Sequence, residues 1–158
     1  MIEVLITAVI IGVLAALSVP GLQRAQDRAT FKAGERVVSL KLKKARSYAI
    51  SHKVPFGVHL DTEHRVVTLF ENRSGPATAT FDSGDSTYSV DTLPDEMQYV
   101  YIDAENSAIV FRPNGSAQVI GYGNIFLAGE TRDMMAYFSI SILASTGRIN
   151  TYSHYYAW

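Results

Sequence analysis

The sequence contains no cysteine, which excludes a disulfide framework, a thiolate zinc site and an iron–sulfur cluster. It also lacks an excess of either charge: 14 lysines and arginines face 15 acids, for a net charge of -1. Bulk charge therefore gives no reason to expect a nucleic-acid or anionic-membrane partner. The four histidines, His52, His59, His64 and His154, are dispersed. His59 and His64 flank one turn and could share a metal, but ordinary surface histidines are the simpler reading. No Gly-x-Ser-x-Gly elbow accompanies a histidine and an acid. Gly121-Tyr122-Gly123 lacks the third glycine and the following helix of a dinucleotide site, and is expected to be a strand kink or bulge. The expectation is a protein that is not an enzyme and holds no cofactor. The 158 residues are expected to hold one folded domain, with no repeat or low-complexity segment within it.

One stretch lacks charge altogether. From Val4 to Val19 nothing ionises, with Glu3 just before it and Pro20 just after it. A helix of about 20 residues rises about 30 Å, the thickness of a bilayer's hydrocarbon core. The run is too long for a signal-peptide core. The first cation, Arg24, lies beyond it. By the positive-inside rule alone, the folded part would be cytoplasmic; a basic leader ahead of Met1 would reverse that.

Helical periodicity continues past Pro20. Leu22, Ala25, Ala29, Ala33, Val37 and Leu40 recur at steps of three and four, and Val38, Leu42, Ala45 and Ala49 widen the stripe. The other faces carry interleaved charges, among them Asp27, Lys32, Lys41 and Arg46, which read as a solvated surface. Pro55 predicts that the helix ends near Ser51 to Lys53. Pro20, with Gly12 upstream and Gly21 beside it, marks a point where the backbone can bend or loosen.

After His52 the period changes to short runs rich in Val, Ile, Phe and Tyr, such as VPFGVHL, RVVTLFE, MQYVYI, AIVFR, AQVIGYGNIFLA, AYFSISIL and RINTYS. Asp61-Thr62-Glu63-His64, Arg112-Pro113-Asn114-Gly115 and Ser145-Thr146-Gly147 supply hairpin turns. Residues 72–95 read as a long excursion with at most one short strand. The closing YSHYYAW suits an edge strand with surface packing, or rings that meet a neighbouring subunit. The predicted architecture is α+β: a long helix with an antiparallel β domain packed on its C-terminal half. Residues 1–22 form an apolar transmembrane or filament-core half, 23–53 an amphipathic half and 54–158 the β domain, with 22–158 one folded head.

The opening residues resemble mature type IV pilins and type II secretion pseudopilins. Those usually begin Phe-Thr-Leu-Ile-Glu, followed by an apolar run ending in proline. Here Ile2-Glu3-Val4-Leu5 leads into AVIIGVLAALSVP, with Glu3 and Pro20 at the family's spacing and Gly12 and Ala15-Ala16 where it favours small residues. The downstream stretches ARSYAISHKVPFGVHLD, IVFRPNGSA and SISILASTGRI are similar to the H-type pseudopilin and FimT-like subgroup, which implies a minor subunit. Met1 stands where the family has leucine, two residues into the processed chain. A precursor with a short basic leader is therefore expected.

The resemblance implies a pilin-like fold and a structural subunit of a type IV pilus or a type II secretion pseudopilus. The subunit would be stored in the bacterial inner membrane with its head in the periplasm. It would polymerise, with copies of itself or other pilins, into a periplasmic or surface filament. A prepilin peptidase, N-terminal methylation and an inner-membrane assembly platform belong to that picture. Glu3 would pair with the N-terminal ammonium of a neighbouring subunit, and Thr7, Gly12, Pro20 and Gly21 would belong to the same assembly segment. Thr7 could instead bond its own helix backbone. Asp82 and Asp85, in Asp82-Ser83-Gly84-Asp85-Ser86, could offer oxygens to calcium, as some pseudopilin loops do. The alternative function is a FimT-like minor pilin that binds DNA for uptake. Such proteins tend to carry glycine-arginine-x-arginine near the C-terminus; here Gly147-Arg148-Ile149-Asn150 lacks the second arginine. Arg148 is the one candidate DNA contact, and no cation follows it, which disfavours this reading.

Overall fold

The computed structural model describes residues 2–73 and 79–158, excepting the side chains of 5, 17 and 20. A single α-helix, α1 (Ile2–His52), runs unbroken through Pro20 and Gly21. It stops where Pro55 requires, with Lys53 in the left-handed region at φ 60°. Nine strands follow among the described residues: β1 (Phe56–Asp61), β2 (Val66–Glu71), β3 (Ser86–Thr92), β4 (Tyr99–Asp103), β5 (Ala108–Phe111), β6 (Ala117–Gln118), β7 (Asn124–Thr131), β8 (Met134–Leu143) and β9 (Arg148–Ala157). They form two antiparallel sheets, in the orders β3-β2-β1-β5-β6 and β4-β7-β8-β9. The three turns read from the sequence join β1 to β2, β5 to β6 and β8 to β9.

AQVIGYGNIFLA is not one kinked strand. β6 belongs to the first sheet and β7 to the second, and Gly121 and Gly123 lie in the connection at φ 124° and 69°. Any side chain is strained at those angles, so this is where the chain can leave one sheet and enter the other.

The main core lies between α1 and the inner faces of both sheets. Phe31, Val38, Leu42, Ala45 and Ala49 of the helix meet Phe56, Leu69, Ile109, Phe111, Leu127, Phe138 and Ile140. The first sheet is also covered behind, where Phe70, Ala108 and Val110 pack with Ala79 and Phe81. That second cover is why β5 is buried at all four positions instead of alternating.

The buried stripe of α1 differs from the longer one in the sequence. Leu22, Ala25, Ala29, Ala33 and Leu40 are exposed; the packed face runs through Phe31, Gly34, Val38, Leu42, Ala45 and Ala49. The two stripes have the same period, and the bulk of Phe31 selects between them by filling the space above Gly129 of β7. Lys41, read as solvated, is buried. Its ammonium forms an ion pair with Asp91 at 2.7 Å and donates to the Ser89 carbonyl and hydroxyl at 2.9 and 3.0 Å. The lysine stem crosses the apolar layer and delivers its charge to edge strand β3. Contact between helix and second sheet begins around Arg24, which donates to the Trp158 carbonyl at 3.2 Å, and Asp27, which accepts from Thr131 Oγ1 at 2.8 Å.

Candidate functional site

Below Arg24 the helix stands clear of the head. One 18-residue window of it has a mean hydropathy of 2.6 and none of it is buried. Ile2 is 72% exposed and Ile11 66% exposed, so the apolar surface continues around the helix. Such a surface needs a lipid or protein cover. Glu3 is exposed at its start and has no ion-pair partner among the described residues. Thr7 Oγ1 donates to the Val4 carbonyl at 3.0 Å, the local choice open to it. Ser18 does the same to Leu14 at 2.8 Å. A Cβ added at Gly12 or Gly21 would meet no atom within 4 Å, so within one chain neither glycine is required for packing. The exposed Leu22, Ala25, Ala29 and Ala33 prolong the bare apolar surface past the point where the charges begin.

The other sequence candidates lie on the head, apart from this surface. In the 82–85 loop the carboxylates serve the loop itself. Asp85 accepts from the backbone N–H groups of Arg73 and Asp82 at 2.8 and 2.9 Å, and Asp82 accepts from Thr80 Oγ1 at 2.9 Å. No group of three or more potential metal ligands occurs among the described residues. His59 and His64 have separate partners. His59 stacks on Phe81 at 5.0 Å, and burial holds its pKa below the ordinary histidine value. His64 Nδ1 lies 2.8 Å from Asp61 Oδ2 in the β1–β2 turn.

That turn carries a pH signature. The hydrogen bond to Asp61 raises the His64 pKa, while the His64 backbone N–H and then its imidazole lower that of Asp61. Asp61's contribution is present above its unfolded pKa and fades as pH falls through the depressed folded value. His64's contribution is present below its unfolded pKa and fades as pH rises through the raised one. The pair thus operates between those two folded values. A proton NMR titration should give His64 a pKa above the ordinary histidine value, and Asp61→Asn should return it toward that value; an unchanged His64 would refute the pairing.

Arg148 opens β9 on the rim of a cleft of about 650 Å³ lined by Lys43, Arg46, Ile50, Thr146 and Ile149. Arg46 is already engaged: Nε donates to the Gly115 carbonyl at 3.1 Å and Nη2 to that of Thr146 at 3.0 Å. It ties two hairpin turns to the helix, and Lys43 and Arg148 are the other cations lining the cleft. Charge-assisted hydrogen bonds of this kind contribute about 1.5–3 kcal/mol when well shielded. With one of the two exposed, Arg46→Ala should cost about 1–2 kcal/mol in urea unfolding. A loss below about 0.5 kcal/mol would show that the tie is ornamental.

The fold has precedents among solved structures. It is similar to the minor pseudopilin EpsH from the type 2 secretion system of Vibrio cholerae, at 14% identity and a TM-score of 0.54, covering 78% of this chain and 97% of that one. It is likewise similar to the type IV minor pilin FimU of Pseudomonas aeruginosa PAO1, at 14% identity and a TM-score of 0.51, covering 80% and 90%. No family model and no curated protein matches the chain. A long N-terminal helix carrying antiparallel sheets on its C-terminal half is thus a pilin-like fold.

Proposed function

We propose that this chain is a structural subunit of a type IV pilus or type II secretion pseudopilus, acting by polymerisation and not by catalysis. The observation that carries the reading is the bare apolar half of α1, which is continuous with a half that is buried under a β head. One continuous helix then serves two solvents. Before assembly the segment below Arg24 spans the bacterial inner membrane, with the head in the periplasm. After assembly the same surface packs on the helices of copies of this chain or of other pilins. The exposed Leu22, Ala25, Ala29 and Ala33 extend that contact toward the head. Glu3 faces the N-terminal ammonium of a neighbour, and Pro20 with Gly21 is where the helix can loosen on leaving the membrane. A prepilin peptidase and an inner-membrane assembly platform are the partners this cycle needs. The resemblance of the downstream stretches to the H-type and FimT-like subgroup supports a minor over a major subunit.

The test is to express the full chain in a host with a matching assembly system, shear the surface and periplasmic fractions, and identify filaments by electron microscopy and mass spectrometry. The chain is expected within filaments. Its confinement to the membrane, with filaments assembling normally without it, would overturn the proposal.

A further inference from the structure

The second sheet turns one face to α1 and the other to solvent, and the solvent face carries six aromatic rings. Cross-strand register sets Tyr101, Phe126, Ser139 and Tyr152 in one row and Tyr99, Ala128, Tyr137 and His154 in the next. Tyr156 follows beside Met135. Tyr101 and Phe126 lie 6.0 Å apart with ring planes at 25°, and Phe126 and Tyr137 6.2 Å apart at 30°. Three strands therefore share a run of neighbouring rings, each inclined by 25–30° to the next. Tyr99 is 74% exposed and Tyr152 58%. Inner-face rings such as Phe138 and Tyr155 pack edge-on at 85°, as core aromatics do.

Local stability does not require such a surface, because the sheet already buries its other face in the core. Large exposed aromatic patches mark binding sites. The charge pattern says what kind. The ionised groups on this face sit at its margins: Asp103 and Glu130 toward one edge and Arg148 at a far corner. The middle is neutral, and the neighbouring positions hold hydroxyls and amides, namely Ser139, Ser141 and Asn150. Single-stranded nucleic acid also stacks on rings, but it needs cations tracking the phosphates, and one arginine against two acids does not provide them. A purely apolar partner would leave the tyrosine hydroxyls unsatisfied on burial.

We propose that this face binds a neutral polysaccharide. The C–H faces of its sugar rings lie against the run through Tyr101, Phe126 and Tyr137. Its hydroxyls bond to the tyrosine tips and to the Ser and Asn side chains beside them. The ligand chemistry is that of an uncharged, hydroxyl-rich polymer whose flat faces are apolar and whose edges are polar. The proposal stands on the sheet face alone and does not depend on the filament reading.

The full chain in detergent micelles is passed over cellulose, chitin and a β-1,3-glucan as neutral polymers, and over heparin as an anionic one. Retention on a neutral polymer that persists in high salt is expected. Phe126→Ala with Tyr137→Ala should cut it at least tenfold. Because Phe126 is half-buried, Tyr99→Ser with Tyr101→Ser serves as a second variant at exposed positions, with the melting temperature of each followed by circular dichroism. Retention on none of the three neutral polymers overturns the proposal. So does binding to heparin alone that salt abolishes, and so does a finding by sedimentation that the rings instead hold two copies of the chain together.

Discussion

Phe31→Ala is expected to lower the unfolding free energy of the head by about 4 kcal/mol. The ring is wholly buried where α1 crosses β7, and it lies directly over Gly129. A Cβ added at Gly129 would run into the Phe31 ring and the Glu96 carbonyl. Ring and glycine are thus complementary halves of one contact, and Gly129→Ala should itself cost about 3 kcal/mol by overpacking. The two effects are coupled. Removing the ring opens space for the new methyl, so the double variant should lose at least about 1 kcal/mol less than the sum of the singles. The Glu96 carbonyl stays in place, so relief is partial. Urea unfolding of the micelle-solubilised chain, followed by fluorescence of the lone tryptophan, Trp158, reads all four corners of the cycle. Strict additivity would mean that Gly129 answers to the Glu96 backbone and not to Phe31.

Glu3→Ala should reduce filament number at least tenfold while leaving the melting temperature of the head unchanged. The second half of that statement follows from geometry: the segment around Glu3 is exposed and free of the head. The first half follows from the proposed bundle. A carboxylate among packed apolar helices is tolerable only when paired. Removing one partner of a buried pair costs about 3–5 kcal/mol, because the other charge is left without an answer. A penalty of that size at each added subunit exceeds a hundredfold in the addition equilibrium. The pair would also specify how far one helix is offset from the next, since an acid at one level of an otherwise uniform surface is satisfied at one register. Glu3→Asp tests this separately: it keeps the charge but shortens its reach, and should give fewer or irregular filaments. Normal filaments from Glu3→Ala would remove Glu3 from assembly.

Much of the molecule was readable because it depends on neighbours in the chain. The end of α1 follows from Pro55, and the β5–β6 turn from Asn114-Gly115, where Asn114 Oδ1 accepts from the Ser116 N–H at 3.0 Å and Gly115 takes φ 83°. The β1–β2 turn follows from Asp61, whose carboxylate accepts the N–H groups of Glu63 and His64, both at 3.0 Å. The bare apolar half of α1 was equally plain, since an acid followed by an uncharged run and a proline is a linear pattern.

Other features depend on partners far along the chain. The apolar stripe along the second half of α1 is wide enough to hold two rows of equal period, and periodicity alone could not rank them. The fit of Phe31 over Gly129, almost a hundred residues away, buried one and left the other bare. Lys41 looked like one more surface charge until Asp91 and Ser89 of an edge strand came within reach. The same holds for the division into two sheets at Gly121 and Gly123, and for the aromatic face. Its tyrosines are spread over three separate strands, and only the register of β4, β7, β8 and β9 brings them side by side. Helices, turns and membrane-length runs express short-range sterics and hydropathy, which each residue carries with it. Which face is buried, which charge is paired and which rings share a surface are set by packing between distant segments, where shape and charge complementarity decide among patterns that are locally equal.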